Sequence, residues 1–180
     1  MPRATRQNET SGDATLAFVV IRLEDQYFAF RIADVAEVLP FSEPVRMPRA
    51  PKFLAGLVDV RGVMLPVVDL RLRAELQAKE RPQRILAIRL EDRFIGAAVD
   101  EVCEVYEAQV DEVGDVASLG DRLDSQFVRL ALRWGQRVVP VMDAMRLLTS
   151  AETLRLKRLR SPRRRRGEAA GREAVEKRRG

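Results

Sequence analysis

Five residues, IRLED, occur at Ile21–Asp25 and again at Ile88–Asp92, 67 positions apart. The same offset aligns VAEV (Val35–Val38) with VCEV (Val102–Val105), and Tyr27-Phe28 with Phe94-Ile95. Farther along, at an offset of 74, GLVDVRGVMLPVVDLRL (Gly56–Leu72) meets LALRWGQRVVPVMDAMR (Leu130–Arg146). This brings Pro66 onto Pro140, Val67 onto Val141 and Asp69 onto Asp143. Two diverged copies of one unit account for the pattern, with the seven extra residues of the second copy placed in the polar stretch EVGDVASLGDRLDSQ. The chain is thereby limited to folds that one unit can build twice.

The unit reads as β. LAFVVIRL and YFAFRI are apolar, aromatic and β-branched, with a tight turn at Glu24–Gln26 between them. After Asp34, the spacing of Val35, Val38 and Leu39 at i, i+3 and i+4 predicts a short helix. LAGLVDV and VMLPVVDL are two more strands joined at Arg61-Gly62, where glycine suits a positive φ. Pro66 and Pro140 cannot donate to a ladder and point to edge strands or bulges. RILAIRLE, RFIGAAVD, FVRLALRW and RVVPVMD repeat the scheme. Each copy thus supplies about five strands, in sheets small enough to curl closed and hide their edges. TSAE at Thr149–Glu152 has capping-box spacing and predicts a helix over 151–160, stopped by Pro162. The expected organisation is a disordered start (1–14), a paired domain (15–150, divided near 76–84), that helix, and a tail (161–180).

Composition narrows the function. No apolar run approaches the roughly 18 residues of a membrane span, and the polar N-terminus lacks the apolar core of a secretory signal. One cysteine and no histidine rule out an internal disulfide, the usual zinc sets and imidazole general bases. A cytoplasmic setting is expected, with Cys103 as a small buried hydrophobe. No glycine-rich nucleotide cradle is present. A glycosidase-like carboxylate pair stays formally open, but carboxylates in turns are ordinarily solvated. The expectation is a non-enzyme acting through its surfaces, with no cofactor, metal or small-molecule substrate. Charge is uneven: residues 155–180 hold 12 Lys/Arg and 3 Asp/Glu, a net of +9, which leaves −4 on the rest. The high pI belongs to the tail. Either the tail binds an anionic partner or it only keeps the chain soluble.

The stretch VRMPRAPKFLAGLVDVRGVMLPVVDLRLR (Val45–Arg73) resembles the central part of CheW-like proteins, the coupling proteins of bacterial chemotaxis. It supplies Pro48, Ala50, Pro51, Phe53, Gly56, Arg61, Gly62, Pro66, Val67, Asp69, Leu70 and Arg71 of that pattern, and the likeness extends over about Leu16–Leu148. The resemblance implies a mainly β fold of two pseudo-symmetric five-stranded barrels with short helices. It also implies a non-catalytic scaffold that bridges chemoreceptor tips to the regulatory domain of a histidine kinase, recruited to membrane receptor arrays. The helical receptor tip would dock in the groove between the barrels. The partner-binding residues it implies are Arg61, framed by Gly56 and Gly62, together with Val35 and Glu37. Arg61 could instead brace its turn against Asp59 or a carbonyl, and Val35 could belong to the core. Asp59, Arg49, Leu130 and Trp134 depart from the family's usual residues. An exposed Trp134 would be a contact hot spot, a buried one a filler of the second barrel. An adaptor in a non-flagellar pathway is the alternative, and a nucleic-acid binder using the basic tail is a further one. Against the latter stand the acidic body and the scarcity of aromatics.

Overall fold

The computed structural model describes residues 15–91, 93–116, 127–149 and 152. The expected N-terminal segment and basic tail lie outside the described residues, as does the expected C-terminal helix apart from Glu152. By its contacts the chain divides into Met1–Leu148 and Thr149–Gly180, and the first unit carries the strands. Within the second, the predicted capping box is formed: Thr149 N–H donates to the Glu152 carboxylate at 2.6 Å, and Glu152 N–H to Thr149 Oγ1 at 3.3 Å.

The fold is mainly β. Eleven strands are described: β1 (Thr15–Leu23), β2 (Gln26–Arg31), β3 (Val35–Pro40), β4 (Leu54–Val60), β5 (Val63–Asp69), β6 (Arg84–Leu90), β7 (Arg93–Val99), β8 (Glu101–Gln109), β9 (Val113–Asp115), β10 (Val128–Trp134) and β11 (Arg137–Met142). One helical turn, α1 (Leu70–Arg73), follows β5, with the Arg71 N–H donating to the capping Asp69 side chain. A six-stranded sheet has the order β8-β1-β2-β11-β10-β9, and a five-stranded sheet the order β3-β6-β7-β5-β4. The sixth strand, β9, is short. Its counterpart in the smaller sheet is the single bridge from Val45 to Leu57.

The pairing proves the repeat residue by residue. Val35 faces Ile88 and Glu37 faces Ala87, with a bulge between. Shifted by 67, the same pairs recur as Val102 with Ile21 and Glu104 with Val20, with a bulge at the same place. The parallel pair Val67–Gly96 recurs as Val141–Ala29. Asp69 N–H donates to Phe53 O at 2.8 Å, and Asp143 N–H to Phe127 O at 2.7 Å, 74 residues on. Both Glu24 and Glu91, the glutamates of the two IRLED copies, turn their hairpins with positive φ (54° and 43°).

The division near 76–84 separates the copies in sequence but not the sheets. Each sheet takes a hairpin from one copy (β1-β2 or β6-β7) and the remaining strands from the other. Two further expectations are corrected. The segment after Asp34 is not a helix: a single 3-10 turn (Ile32–Asp34) leads into β3, where half-buried and exposed residues alternate. The i, i+3, i+4 spacing misled because the half-buried face of that strand is Val35, Glu37 and Leu39, with a charge in its middle. Nor does Pro66 lie on an edge strand, since β5 has β4 on one side and β7 on the other; of the two expected settings it is the bulge that is found, one residue on, where β4 bulges between Leu54 and Gly56 opposite Val67 and Val68. The proline is tolerated because pairing with β7 begins only at Val67, one residue later. Pro140 sits the same way before Val141.

Phe18, Val20, Leu132, Val139 and Val141 fill the larger sheet, and Val58, Leu65, Val67, Ile85 and Ala98 the smaller. Cys103 is half-buried beside the first of these clusters rather than fully enclosed. Burial and the nearby Glu101 push its thiol pKa up, away from reactivity.

Candidate partner-binding site

Arg61 and Gly62 form the two-residue turn between β4 and β5, both at positive φ (53° and 83°). That is the backbone of the hairpin turns matched to strand twist. Asp59 fixes it by accepting the Gly62 N–H at 2.7 Å. Asp59 thus braces the turn through Gly62, and the Arg61 side chain is left to project. Its guanidinium reaches Glu37 Oε1 at 2.7 Å, with the arginine side chain 79% exposed and the glutamate 38%. Glu37 is on β3 and Arg61 follows β4, the two opposite edges of the five-stranded sheet. The ion pair therefore closes the seam where that sheet curls on itself. Exposed apolar residues are its neighbours along the chain: Val38 follows Glu37 on β3, and Val63 and Met64 open β5 after the turn. Val35, also on β3, is half-buried and offers less surface than Val38.

The other sheet repeats the device with different chemistry. Glu104, the counterpart of Glu37, accepts the indole N–H of Trp134, the residue before the β10–β11 turn. Trp134 is half-buried, lies 5.2 Å from the Tyr27 ring centre, and packs against the core of the larger sheet. It fills that sheet's seam, with Arg137 stacked over Tyr27 outside it. Each seam is thus clasped by a glutamate of the strand after the first hairpin.

Gly56 and Gly62 differ in what they allow. A Cβ on Gly56 (φ 149°) would meet the Val45 carbonyl oxygen at 2.3 Å. The glycine lets the Pro44–Val45 segment close on β4 through two backbone hydrogen bonds between Val45 and Leu57. Its role is to shape the strand that presents Arg61. Nothing lies within 4 Å of a Cβ on Gly62, so the turn is open to an approaching backbone.

One buried cluster escaped the reading of the sequence, although two of its residues, Asp69 and Arg71, belong to the VVDLR motif. The Arg71 side chain is 2% exposed. It pairs with Asp69 through Nε and Nη2 (3.0 and 2.7 Å), with Asp100 Oδ1 at 2.8 Å and with Glu80 O at 2.6 Å. Glu24 Oε1 stands 3.7 Å away, and Asp100 also accepts the Glu24 N–H at 2.6 Å. Asp69 ends a strand of the smaller sheet, Glu24 turns a hairpin of the larger, and Asp100 is the one residue between β7 and β8. Arg71 thus ties both sheets where the chain crosses from one to the other. Its hydrogen bonds to Asp69 raise its own pKa further.

Among the described residues no three His, Cys, Asp or Glu side chains are grouped to hold a metal ion. No helix among them is long and apolar enough to cross a membrane. Neither Arg61 nor Glu37 lines the clefts beside Phe41–Leu54 or beside Tyr27–Phe28 and Phe127. The candidate site is an exposed seam built around an ion pair.

The chain is similar to known proteins. The chain is 24% identical over 144 residues to a probable chemotaxis protein CheW of Rhizobium etli, covering 79% of this chain and 92% of that one. With a chemotaxis protein CheW of Rhizobium meliloti it shares 25% over 154 residues, covering 84% and 97%. Protein PilI of Pseudomonas aeruginosa is 32% identical over 92 residues, about half of each chain (50% and 52%). Among solved structures, the scaffolding protein TtCheW of Thermoanaerobacter tengcongensis shares the fold with a TM-score of 0.67 at 23% identity, over 72% of this chain and 90% of its own. The family model described as CheW-like domain matches residues 17–152. This chain, with its two interlocked sheets and clasped seams, belongs to the CheW-like domain family.

Proposed function

We propose that this protein is a non-catalytic coupling scaffold that joins chemoreceptor tips to the regulatory domain of a histidine kinase, and that it works in the cytoplasm at membrane receptor arrays. The observation that carries the surface assignment is the Arg61–Glu37 seam. An arginine 79% exposed, held at a two-residue turn, with exposed Val38, Val63 and Met64 on the strands that meet at its seam, has the make-up of an interface patch. Its present ion pair contributes little to the fold, since exposed pairs are worth about 0–1 kcal/mol. The pair can open at little cost and offer the guanidinium to a partner carboxylate or to helix C-terminal carbonyls. Gly62 supports close approach, while Glu37 and Val35 form the other bank. The test is titration of the purified kinase regulatory domain and receptor cytoplasmic fragment with wild type and Arg61→Glu. Arg61→Glu is expected to keep the melting temperature within a few degrees and to weaken binding about 30-fold or more, roughly 2 kcal/mol. Unchanged binding to both partners sinks the assignment.

The likeness to Protein PilI, a relative whose name is not a chemotaxis name, favours a second setting: the same scaffold serving a pathway other than swimming. Identification of the kinase that co-purifies from native cells separates the two. For the basic tail, an anionic partner remains a proposal. Binding that falls steeply with added salt would support it.

A further inference from the structure

Arg73 stands where the two copies of the unit meet. Its guanidinium carbon lies 4.9 Å from the centre of the Phe53 ring and 4.8 Å from that of Phe127. These phenylalanines hold the same position in the two copies, one entering β4 and the other β10. The carbonyl of each anchors the aspartate that follows the next strand pair, Asp69 or Asp143. Arg73 Nε donates to Leu147 O at 2.9 Å, and Leu147 is the counterpart of Arg73 itself, 74 residues on. One side chain therefore touches both copies at their approximate two-fold axis. Guanidinium suits this place because it has two flat faces for the rings and N–H groups on its edge for the carbonyl. Among the described residues no carboxylate is paired with Arg73. The two rings and the carbonyl meet its charge. Its contacts depend on the orientation of the flat group.

We propose that Arg73 is a positioning residue that fixes the angle between the two curled sheets, and thereby the angle between partners held on either of them. The functional half rests on the scaffold reading above; the geometric half does not. Spin labels at Arg89→Cys on β6 and Arg133→Cys on β10, in a Cys103→Ala background of the full chain, report the distance between the sheets. A single narrow distance distribution is expected with Arg73, and a broadened or shifted one with Arg73→Gln and Arg73→Ala. Arg73→Lys, which keeps charge and stem but loses the flat group, is expected to fall between. It serves as the readable variant if the others do not fold. In assemblies with kinase and receptor, Arg73→Gln is expected to bind each partner alone as wild type does, yet to lose about tenfold of receptor control over the kinase. A distribution unchanged in Gln and Lys variants overturns the proposal whatever the activity. A broadened distribution with control intact overturns its functional half. A wild type that binds neither partner overturns the scaffold reading before any Arg73 variant is made.

Discussion

Arg71 and Asp34 show what charge does in this protein at the scale of one residue. Among the described residues Arg71 is the cation that forms ion pairs with Asp69, Asp100 and Glu24, whose side chains are only 10–12% exposed. Arg71→Ala would leave three carboxylates facing one another with little water. Removing one partner of a buried pair costs about 3–5 kcal/mol, a large part of the total stability of a domain. Urea unfolding of Arg71→Ala is expected to show a loss of that size; a loss below 1 kcal/mol would mean that water reaches the cluster freely. Asp34 presents the opposite case. Burial holds its carboxyl above the usual carboxylate range, with Arg31 opposing and Asp143 adding to the shift. The folded chain therefore takes up this proton more readily than the unfolded chain. Ionising Asp34 costs stability as pH rises through the carboxylate range, and the cost is fully present at neutral pH. Asp34→Asn is thus expected to melt higher than wild type at pH 7. The gap should close as the pH falls below about 4, the unfolded carboxylate value. An asparagine variant that melts lower at pH 7 would show that attraction to Arg31 outweighs burial.

At the scale of strands and turns, much was legible because strands buried over most of their length are written as short apolar, β-branched runs bounded by turn residues. β1, β2, β4, β5, β6, β7, β10 and β11 could be read from their apolar, aromatic and β-branched runs, as could the turn at Gly62. β3 was not, since Glu37 interrupts its inner face to reach Arg61. Both residues of that clasp could be singled out in the sequence, but their pairing spans 24 positions and two sheet edges, which no local pattern encodes. Trp134 with Glu104, Arg71 and Arg73 escaped for the same reason. Gly56 and Gly62 look alike in the motif, and only packing tells them apart. Gly56→Ala drives a methyl group into the backbone of Val45 at a φ of 149°, with no flexible atom to move aside. Overpacking of this kind costs about 1–3 kcal/mol. Hydrogen exchange is expected to speed up first at the amides of Val45 and Leu57, which bond each other's carbonyls. Gly62→Ala meets open space and should cost only the left-handed backbone penalty, about 1–2 kcal/mol, with those two amides still protected. Equal effects of the two substitutions on those amides would contradict the division of roles.

For the whole molecule, the exchange of strands between copies follows from the length of two connections. β2 and β8 both run antiparallel to β1, so they are parallel to each other. Were β3 to take the place of β8 beside its own β1, the chain would have to return along the full length of β2. Such a crossover takes a dozen or more residues, and only Ile32–Asp34 are available. The connection from β7 to β8 is shorter still, Asp100 alone. Each copy must therefore send its third strand into the other sheet. The connection that is long enough to cut, between α1 and β6, divides the copies but leaves both sheets incomplete. Chains 1–79 and 80–180, made separately, are expected to lack cooperative unfolding as monomers and to regain it together in a one-to-one complex. The first fragment carries one full copy, so it has every pairing edge a sheet needs, but only in a second molecule. At high concentration it is expected to associate with itself through β1 against β3 of its mate, so that its folding depends on concentration. Sedimentation with circular dichroism across a dilution series checks this. A fragment that melts cooperatively as a monomer, at a temperature independent of dilution, would show that a single copy can close on itself and that the short connections do not force the exchange.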